Sequence, residues 1–266
     1  MFPQLRELTE EVIHEFIRQK VEESQATGVV IGLSGGIDSA VTSRLCCDAL
    51  GADKVLNLFL PGKTTPKSDL EDARSFCRSQ EMELRVIDIA PAMEAFEKML
   101  PEAKRPELRG NIMARCRMIA LFHHARLMHR VVMGTSNKSE LLVGYFTKFG
   151  DGGADFCPIG DLYKTEVRQL AERLAIPRRI IDKVPSAGLW KGQTDEGELG
   201  IGYEDLDRIL LGIELNLPDE EIAKRTGLAL EQVQKVWKMH RESVHKRKMP
   251  LVPKIGVRTI GLDWRE

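Results

Sequence analysis

The fold of this chain is predicted from one stretch, residues 28–39, which reads GVVIGLSGGIDS. Its first six residues, Gly28 to Leu33, are apolar enough to form a short buried strand. A glycine turn follows, and a helix is predicted to begin at about Asp38. A strand that passes through a glycine turn into a helix is suited to phosphate binding, because the helix start presents free N–H groups.

Strands and helices alternate over the first two thirds of the chain. The apolar pattern predicts strands at about 28–33, 55–60, 84–89 and 130–134. It predicts helices at about 38–50, 68–80, 91–100 and 106–128, preceded by a first amphipathic helix whose apolar residues are Leu5, Leu8, Val12, Phe16 and Ile17. This alternation predicts an α/β fold, a doubly wound Rossmann-like parallel sheet flanked by helices. Ligands of such sheets bind at the carboxyl ends of the strands.

The pattern changes in the last third of the chain. Residues 186–202 are rich in Gly, Gln, Asp and Glu without periodicity, which predicts a mobile loop, whereas 203–245 is predicted to be helical throughout. We therefore expect one domain over 1–266, made of a sheet-based part at about 1–184, the loop at 186–202 and an appended helical segment at about 203–266.

Composition argues against several classes of protein. Lys plus Arg number 39 and Asp plus Glu number 40, so the net charge of −1 gives no reason to expect a nucleic-acid or membrane partner. No apolar run approaches the roughly 20 residues of a membrane span. The five cysteines form no CxxC pair, which predicts neither a zinc site nor a disulfide framework, and we expect a cytoplasmic location.

The segment Ser34 to Ser39, SGGIDS, is the strongest chemical signal. Its glycines let the backbone approach an anion closely, its serines add hydroxyl donors, and Asp38 offers a hard oxygen for magnesium. A glycine turn capped by Asp and Ser is the plain structural alternative. The segment resembles the pyrophosphate-binding loop of the N-type ATP pyrophosphatases, in the adenine nucleotide alpha-hydrolase-like superfamily, which split ATP between its α- and β-phosphates.

A second loop, 61–64 or PGKT, looks like the end of a Walker A motif. The motif's first glycine is replaced by Asn57, and Pro66 interrupts the helix that should follow. We therefore expect a plain connection there, with a loop near the adenine or ribose of a nucleotide as the alternative.

Three further stretches carry a closer resemblance. Residues 134–140 read GTSNKSE, 144–155 read GYFTKFGDGGAD, and the third runs from PSAGLW at 185–190 to QTDE at 193–196. Together with Ser34 to Ser39 they resemble the NAD synthetase family over nearly the whole chain. The resemblance implies ATP-dependent amidation of deamido-NAD by ammonia through an adenylated intermediate, giving NAD, AMP and pyrophosphate.

The resemblance also assigns residues to roles. ATP binding is implied for Gly32, Leu33, Ser34, Gly35, Gly36, Ile37, Asp38, Ser39, Thr135, Lys164 and Ser186. Deamido-NAD binding is implied for Arg115, Lys148, Asp155, His245 and Lys246. Asp38 and Glu140 are expected to hold Mg²⁺, although the helix dipole alone could favour a first-turn glutamate. Asp38, Lys164 and Asp195 are the expected catalytic residues.

The reactive adenylate needs shelter from water, so residues 188–200 are the candidate lid, with Trp190 as its apolar contact. Asp195 and Glu196 are candidates for holding ammonia or accepting its proton. The chain length leaves no room for an amidohydrolase domain, so free ammonia is the expected nitrogen source, with a separate glutaminase subunit acting in trans as the alternative. Family resemblance also implies a homodimer.

Rival functions remain open from the sequence. Another ATP pyrophosphatase, similar to GMP synthetase or a tRNA-modifying ligase, would share the SGGIDS segment. Residues 219–239 look like a helix-turn-helix, but the first of these helices is acidic, which disfavours DNA binding. We expect this helix pair to pack against the sheet part or a partner subunit, and we expect His123 and His124 to be structural.

Overall fold

The computed structural model describes residues 1–100, 102, 105–190, 192–260 and 263. Within these residues four parallel strands form one sheet in the order β3-β2-β1-β4. The strands are β1 (Val29–Gly32), β2 (Val55–Phe59), β3 (Glu83–Val86) and β4 (Val131–Met133). The chain builds outward from β1 to β3 and then returns to the other side of β1, so the strand order reverses between β1 and β4. A crevice at such a switch point is where doubly wound sheets bind ligands.

Helices cover both faces of the sheet, as predicted. In chain order the helices up to the glycine-rich C-terminal third are α1 (Thr9–Glu23), α2 (Ile37–Leu50), α3 (Lys67–Ser79), α4 (Ala90–Met99), α5 (Pro106–Leu127), α6 (Lys138–Val143), α7 (Lys164–Arg173) and α8 (Arg178–Ile181). Alternate strand residues point to opposite faces. Val29 and Ile31 pack in the core that α1, α2 and α7 share, whereas Val30 packs in the core with α4 and α5. The predicted α/β fold is confirmed.

The C-terminal part is less continuous than predicted. Its helices are α9 (Asp195–Leu199), α10 (Tyr203–Glu214), α11 (Asp219–Thr226) and α12 (Leu230–Glu242), followed by a 3-10 turn at Val244–Lys246. The segment predicted to be helical throughout, 203–245, is divided into these helices, because Pro218 precedes α11 and Gly227 ends it with a φ of 75°. A third core joins α10, α11 and α12 to Val143 of α6.

Two other predictions need correction. Leu8 and Val12 do not face the core; they are 64% and 66% exposed, while Ile13, Ile17 and Val21 form the buried stripe of α1. The strand predicted at 84–89 ends at Val86, although its line of backbone hydrogen bonds continues, since the N–H of Ile87 donates to the carbonyl of Phe59. Within the described ranges, no helix is both long and apolar enough to cross a membrane.

Candidate active site

The residues between β1 and α2, Ser34 to Ser39, form a compact turn that we call the glycine loop. Hydroxyl groups hold it in shape: Ser39 Oγ accepts from the N–H of Ser34 at 3.1 Å and donates to the carbonyl of Gly36 at 3.0 Å. Ser34 Oγ accepts from the N–H of Gly36 at 3.2 Å. The loop opens α2, a helix of 14 residues, so the partial positive charge of a long helix start lies at the crevice.

Gly35 is required at its position for two reasons. Its φ of 79° lies in the left-handed region, and a Cβ would approach the backbone carbonyl of Asp69 to 2.7 Å. The carbonyl of Gly35 accepts from Lys183 Nζ at 3.2 Å, and the same ammonium contacts Asp69 Oδ1 at 2.6 Å. Lys183, which the sequence analysis did not single out, therefore places a positive charge beside the glycine loop.

The start of α6 is tied to the glycine loop across the crevice. Asn137 caps this helix: its Oδ1 accepts from the N–H of Glu140 at 3.0 Å, and Glu140 Oε2 reaches back to the N–H of Asn137 at 3.4 Å. The other end of the Asn137 amide, Nδ2, donates to Asp38 Oδ1 at 2.9 Å. The cap therefore brings the carboxyl groups of Asp38 and Glu140, expected to lie together, to the same place.

Lys164, the first residue of α7, reaches both carboxyl groups. Its Nζ lies 2.5 Å from Asp38 Oδ2 and 3.4 Å from Glu140 Oε1. Its side chain is 8% exposed, and those of Asp38 and Glu140 are 17% and 15% exposed. We call these three residues the lysine–carboxylate cluster. Lys164 is therefore a buried charge and not a surface lysine.

Burial perturbs the acid–base behaviour of this cluster. Burial raises the pKa of Glu140 to about 8; the Lys164 ammonium opposes that rise, and the charges of Asp38 and Asp195 add to it. Burial alone would lower the pKa of the Lys164 ammonium, but the neighbouring carboxylates of Asp38 and Glu140 raise it above its ordinary value. The lysine is therefore a fixed positive charge in a site with little water.

Two tyrosine hydroxyl groups contact Asp195 of α9, and one of them, that of Tyr203, also reaches the cluster. Tyr203 Oη donates to Asp195 Oδ2 at 3.2 Å and lies 3.4 Å from Glu140 Oε1. Tyr145 Oη lies 3.1 Å from Asp195 Oδ1 and 2.5 Å from Glu198 Oε2. Asp195 is only 4% exposed, and its burial raises the pKa of its carboxyl group, which these hydroxyl groups partly offset. A carboxyl group with a raised pKa is suited to proton transfer.

A cavity of about 660 Å³ joins these parts, a size that accommodates a nucleotide-sized ligand. Most of the residues predicted for ATP, metal or catalysis line it, namely Gly32, Leu33, Ser34, Gly36, Ile37, Asp38, Ser39, Thr135, Glu140, Lys164, Ser186 and Asp195. Gly35 of the glycine loop is the one predicted residue of this set that is not part of the lining.

The residues predicted for deamido-NAD lie mostly beside the cavity; Lys246 alone among them is part of its lining. Arg115 donates to the carbonyl of Lys148 at 3.3 Å, and Lys148 Nζ donates to the carbonyl of His245 at 2.7 Å. These three residues, with Lys246 next to His245 in the chain, therefore form one basic group. Asp155 lies apart from it, since its Oδ2 accepts from the N–H of Val132 at 2.7 Å.

The segment predicted as an aperiodic loop, 186–202, contains the short helix α9. Thr194 caps that helix by accepting from the N–H of Gly197 at 3.2 Å. Leu189 and Trp190 lie against Gly110 of α5. Glu196 is exposed and accepts from the N–H of Tyr203 at 3.0 Å, and it is not among the cavity-lining residues.

Of the other candidate motifs, the loop at 61–64 reaches the cavity through Thr64, whereas the helix-turn-helix segment and His124 contact neighbouring helices or their own helix. The loop at 61–64 closes as a turn, with the N–H of Gly62 donating to Thr65 Oγ1 at 3.0 Å. The helices of the helix-turn-helix segment pack against each other and α10, and His240 of α12 contacts the carbonyl of Leu142 at 3.0 Å. His124 contacts the carbonyl of Ala120 in its own helix.

Sequence reasoning assigned no role to Asn137, Tyr145, Lys183, Tyr203 or Asp207. Only Asn137 carried a local signal, because an Asn followed three residues later by Glu is the pattern of a capping box. The others reach the site through contacts between distant segments.

The glycine loop and the lysine–carboxylate cluster at the switch point define a nucleotide-binding α/β enzyme. Comparison with known proteins gives the family: the NAD synthase model matches residues 9–250. The chain is 47% identical over 246 residues to an NH(3)-dependent NAD(+) synthetase of Methanosarcina acetivorans, covering 91% of this chain and 96% of the relative. It is 47% identical to the enzyme of that name from Thermococcus kodakarensis, with coverages of 91% and 95%.

Solved structures agree with this result. An NMN synthetase from Francisella tularensis matches with a TM-score of 0.83 and 36% identity, covering 93% of this chain and 98% of the other. An NH3-dependent NAD synthetase from Campylobacter jejuni matches with a TM-score of 0.79 and 36% identity, with coverages of 92% and 98%. The chain belongs to the NAD synthase family, as the sequence motifs predicted.

Proposed function

We propose that the chain is an ammonia-dependent NAD synthetase, a ligase that uses ATP to amidate the nicotinate carboxylate of deamido-NAD. The main support for this proposal is that Lys164 contacts both Asp38 and Glu140 beside the glycine loop, at the switch point of the sheet. Relatives that are 47% identical over more than nine tenths of the chain support the same activity.

ATP is proposed to bind with its β- and γ-phosphates on the glycine loop and the start of α2. The free N–H groups there attract phosphate oxygens, and Lys183 adds a positive charge on the same side. Thr135 and Ser186 line the same cavity and offer further hydroxyl groups to the nucleotide.

Asp38 and Glu140 fit a Mg²⁺ ion in their chemistry. Both are hard oxygen donors, and both already contact a cation, the ammonium of Lys164. In the part of the chain that the structure describes, no group of three or more His, Cys, Asp or Glu side chains could hold a metal alone. We therefore propose that the carboxylates of Asp38 and Glu140 supply part of the Mg²⁺ ligand set and that ATP phosphates complete it. When bound there, Mg²⁺ would neutralise negative charge on the phosphates.

The first step is transfer of AMP to the substrate. An oxygen of the nicotinate carboxylate attacks the α-phosphorus, the bond from that phosphorus to the bridging oxygen of the β-phosphate breaks, and pyrophosphate leaves. No protein nucleophile is needed, so the protein contributes position and electrostatic stabilisation. Lys164 supplies the positive charge for the α-phosphate as negative charge accumulates on its oxygens, and its contact with Asp38 orients it.

The second step forms the amide. Ammonia attacks the carbonyl carbon of the acyl adenylate, AMP leaves with the bridging oxygen, and a proton must be removed from the nitrogen. We assign Asp195 as the group that receives this proton, because it is buried, lines the cavity and has a raised pKa. Glu196, the second sequence candidate, caps the start of α10 instead and has no part in the proposal.

The adenylate needs protection from water during this step. Residues 188–200 are the proposed lid, and the contact of Leu189 and Trp190 with α5 places that segment over one side of the cavity. Arg115, Lys148, His245 and Lys246 are proposed to bind the phosphates of deamido-NAD, and Asp155 its pyridine or ribose. The family resemblance implies a homodimer, and we propose that deamido-NAD binds near its interface. The proposed location of the enzyme is the cytoplasm.

Free ammonia is the proposed nitrogen donor, and a glutaminase subunit acting in trans is the alternative source. We expect the purified chain to make NAD from ammonium chloride and none from glutamine. NAD formed from glutamine only after a glutaminase subunit is added, at ammonium concentrations too low to support turnover alone, would favour supply in trans.

The proposed function is tested by incubating the chain with ATP, Mg²⁺, ammonium and deamido-NAD while NAD, AMP and pyrophosphate are measured. We expect equimolar NAD, AMP and pyrophosphate, lost when ammonium is omitted or the metal is chelated. Nicotinate mononucleotide is the matched alternative substrate, because one similar structure is an NMN synthetase. Faster turnover of the mononucleotide would reassign the substrate, and pyrophosphate release without either substrate would favour another ATP pyrophosphatase.

A further inference from the structure

Asp207 of α10 is a fully buried carboxylate that lies outside the cavity lining. Its two oxygens accept hydrogen bonds from two different helices. Ser139 Oγ, in the first turn of α6, lies 2.5 Å from Oδ1, and the N–H of Thr165, in the first turn of α7, donates to Oδ2 at 2.9 Å. A single side chain of the C-terminal part therefore holds the starts of two helices.

Each of these helix starts carries a member of the lysine–carboxylate cluster. Ser139 directly precedes Glu140, and Lys164 directly precedes Thr165. A further bond closes the arrangement, because the N–H of Lys164 donates to Ser139 Oγ at 2.9 Å. The backbone of Lys164 is thus fixed at its own N–H through Ser139 and at the next N–H through Asp207.

We propose that Asp207 is a positioning residue that keeps Glu140 and Lys164 in register with each other and with Asp38. Asp207 touches no substrate; it acts through Ser139 and Thr165. This inference rests on the proposed function, because the positioned residues are the ones assigned to adenyl transfer.

The contact is suited to a carboxylate, because Ser139 and Thr165 both donate to Asp207. An amide could keep the bond from Thr165 only by turning its NH₂ group toward Ser139 Oγ, which would then accept from it as well as from the N–H of Lys164. The Ser139 hydroxyl proton would lose its acceptor, so the link to α6 would change. Keeping a charge here is costly, since burial raises the pKa of Asp207 to about 6, partly offset by the bonds from Ser139 and Thr165.

Glu214 provides a matched control on the same helix. It accepts from Tyr163 Oη at 2.6 Å and from Lys138 Nζ at 2.9 Å, so it also links α10 to residues beside the starts of α6 and α7. It is exposed and does not line the cavity. The substitution Glu214→Gln therefore weakens a link between α10 and the same two helices, while the hydrogen bonds at the backbone of Lys164 stay in place.

The experiment compares Asp207→Asn, Ser139→Ala, the double variant and Glu214→Gln, with kcat corrected for the folded fraction by circular dichroism. We expect kcat for deamido-NAD-dependent pyrophosphate release to fall by about tenfold to a hundredfold in Asp207→Asn, because small displacements of catalytic groups cost this much. KM for ATP should stay within about twofold, since the glycine loop is untouched. Ser139→Ala should lower kcat by a similar factor, and the double variant should lower kcat little more than either single change. The kcat of Glu214→Gln should stay near that of the wild type.

A crystal structure of Asp207→Asn gives a readout that needs no substrate. We expect Lys164 Nζ to move out of hydrogen-bond distance of Asp38. If the wild-type chain makes no NAD, the proposed function fails, yet this structure still tests the positioning role. An unmoved Lys164, an unchanged kcat in Asp207→Asn, or an equal loss in Glu214→Gln would each overturn the inference.

Discussion

Lys164→Met tests whether the ammonium of Lys164 compensates the buried carboxylates around it. Methionine keeps the unbranched stem and removes the charge that lies 2.5 Å from Asp38 and 3.4 Å from Glu140. Asp38 keeps its bond from Asn137, whereas Glu140 keeps only long contacts of 3.4 Å, to the N–H of Asn137 and to Tyr203. Removing one partner of a buried ion pair costs about 3–5 kcal/mol, so we expect a loss of this order in the free energy of unfolding at high pH.

The pH dependence makes this prediction sharper. Glu140 has a folded-state pKa of about 8, above the 4.5 of an ordinary glutamate. A carboxyl group whose pKa is raised on folding binds its proton more tightly in the folded state, so its ionisation makes stability fall with rising pH until the folded pKa is passed. In the wild-type chain this fall should level off above about pH 8. Without Lys164 the pKa of Glu140 rises further, so the fall should continue, by about 1.4 kcal/mol for each pH unit.

The assay is urea unfolding of both chains from pH 7 to 9.5 in the presence of a metal chelator. Subtracting the two free energies of unfolding removes the contributions of groups that titrate alike in both chains. If the free energies of unfolding of the wild type and of Lys164→Met change in parallel above pH 8, Lys164 does not hold down the pKa of Glu140.

Two further predictions concern the loop and the proton acceptor. Gly35→Ala should lower the free energy of unfolding by about 1–3 kcal/mol, since its φ is 79° and its Cβ would meet the carbonyl of Asp69, whereas Gly36→Ala meets only Ser34 Oγ at 3.3 Å and should cost clearly less. Equal losses in urea unfolding of the two variants would contradict this. Asp195→Asn should leave deamido-NAD-dependent ATP–pyrophosphate exchange near wild type and slow ammonia-dependent NAD formation by about a hundredfold. Unchanged ammonia turnover would remove Asp195 from the mechanism.

The parts of the molecule that depend on neighbouring residues were predictable from the sequence. The glycine loop lies between a strand and a helix because apolar residues, glycines and a polar cap follow one another directly in residues 28–39. The alternation of strands and helices predicted the parallel sheet. The switch point followed from it, because the two glycine-ended strands, β1 and β4, are neighbours.

Features that depend on contacts between distant segments were not predictable from pattern alone. Lys164 is 126 residues from Asp38 in sequence, and only family resemblance placed it in the site. Asp207 and Tyr203 gave no local signal, because their partners are set by the way α10 packs against α6 and α7. Helix α9 has only five residues, too few to show a helical period, so its segment was predicted as a loop. The exposure of Val12 likewise reflects which face of α1 meets α2.

Transfer of AMP to the nicotinate carboxylate can be followed with an oxygen isotope. Deamido-NAD labelled with ¹⁸O at both carboxylate oxygens is converted to NAD with ATP and ammonium, and AMP, pyrophosphate and NAD are analysed by mass spectrometry. We expect one ¹⁸O atom in AMP, one in the amide of NAD and none in pyrophosphate. Label in pyrophosphate, or AMP without label, would contradict an acyl adenylate intermediate.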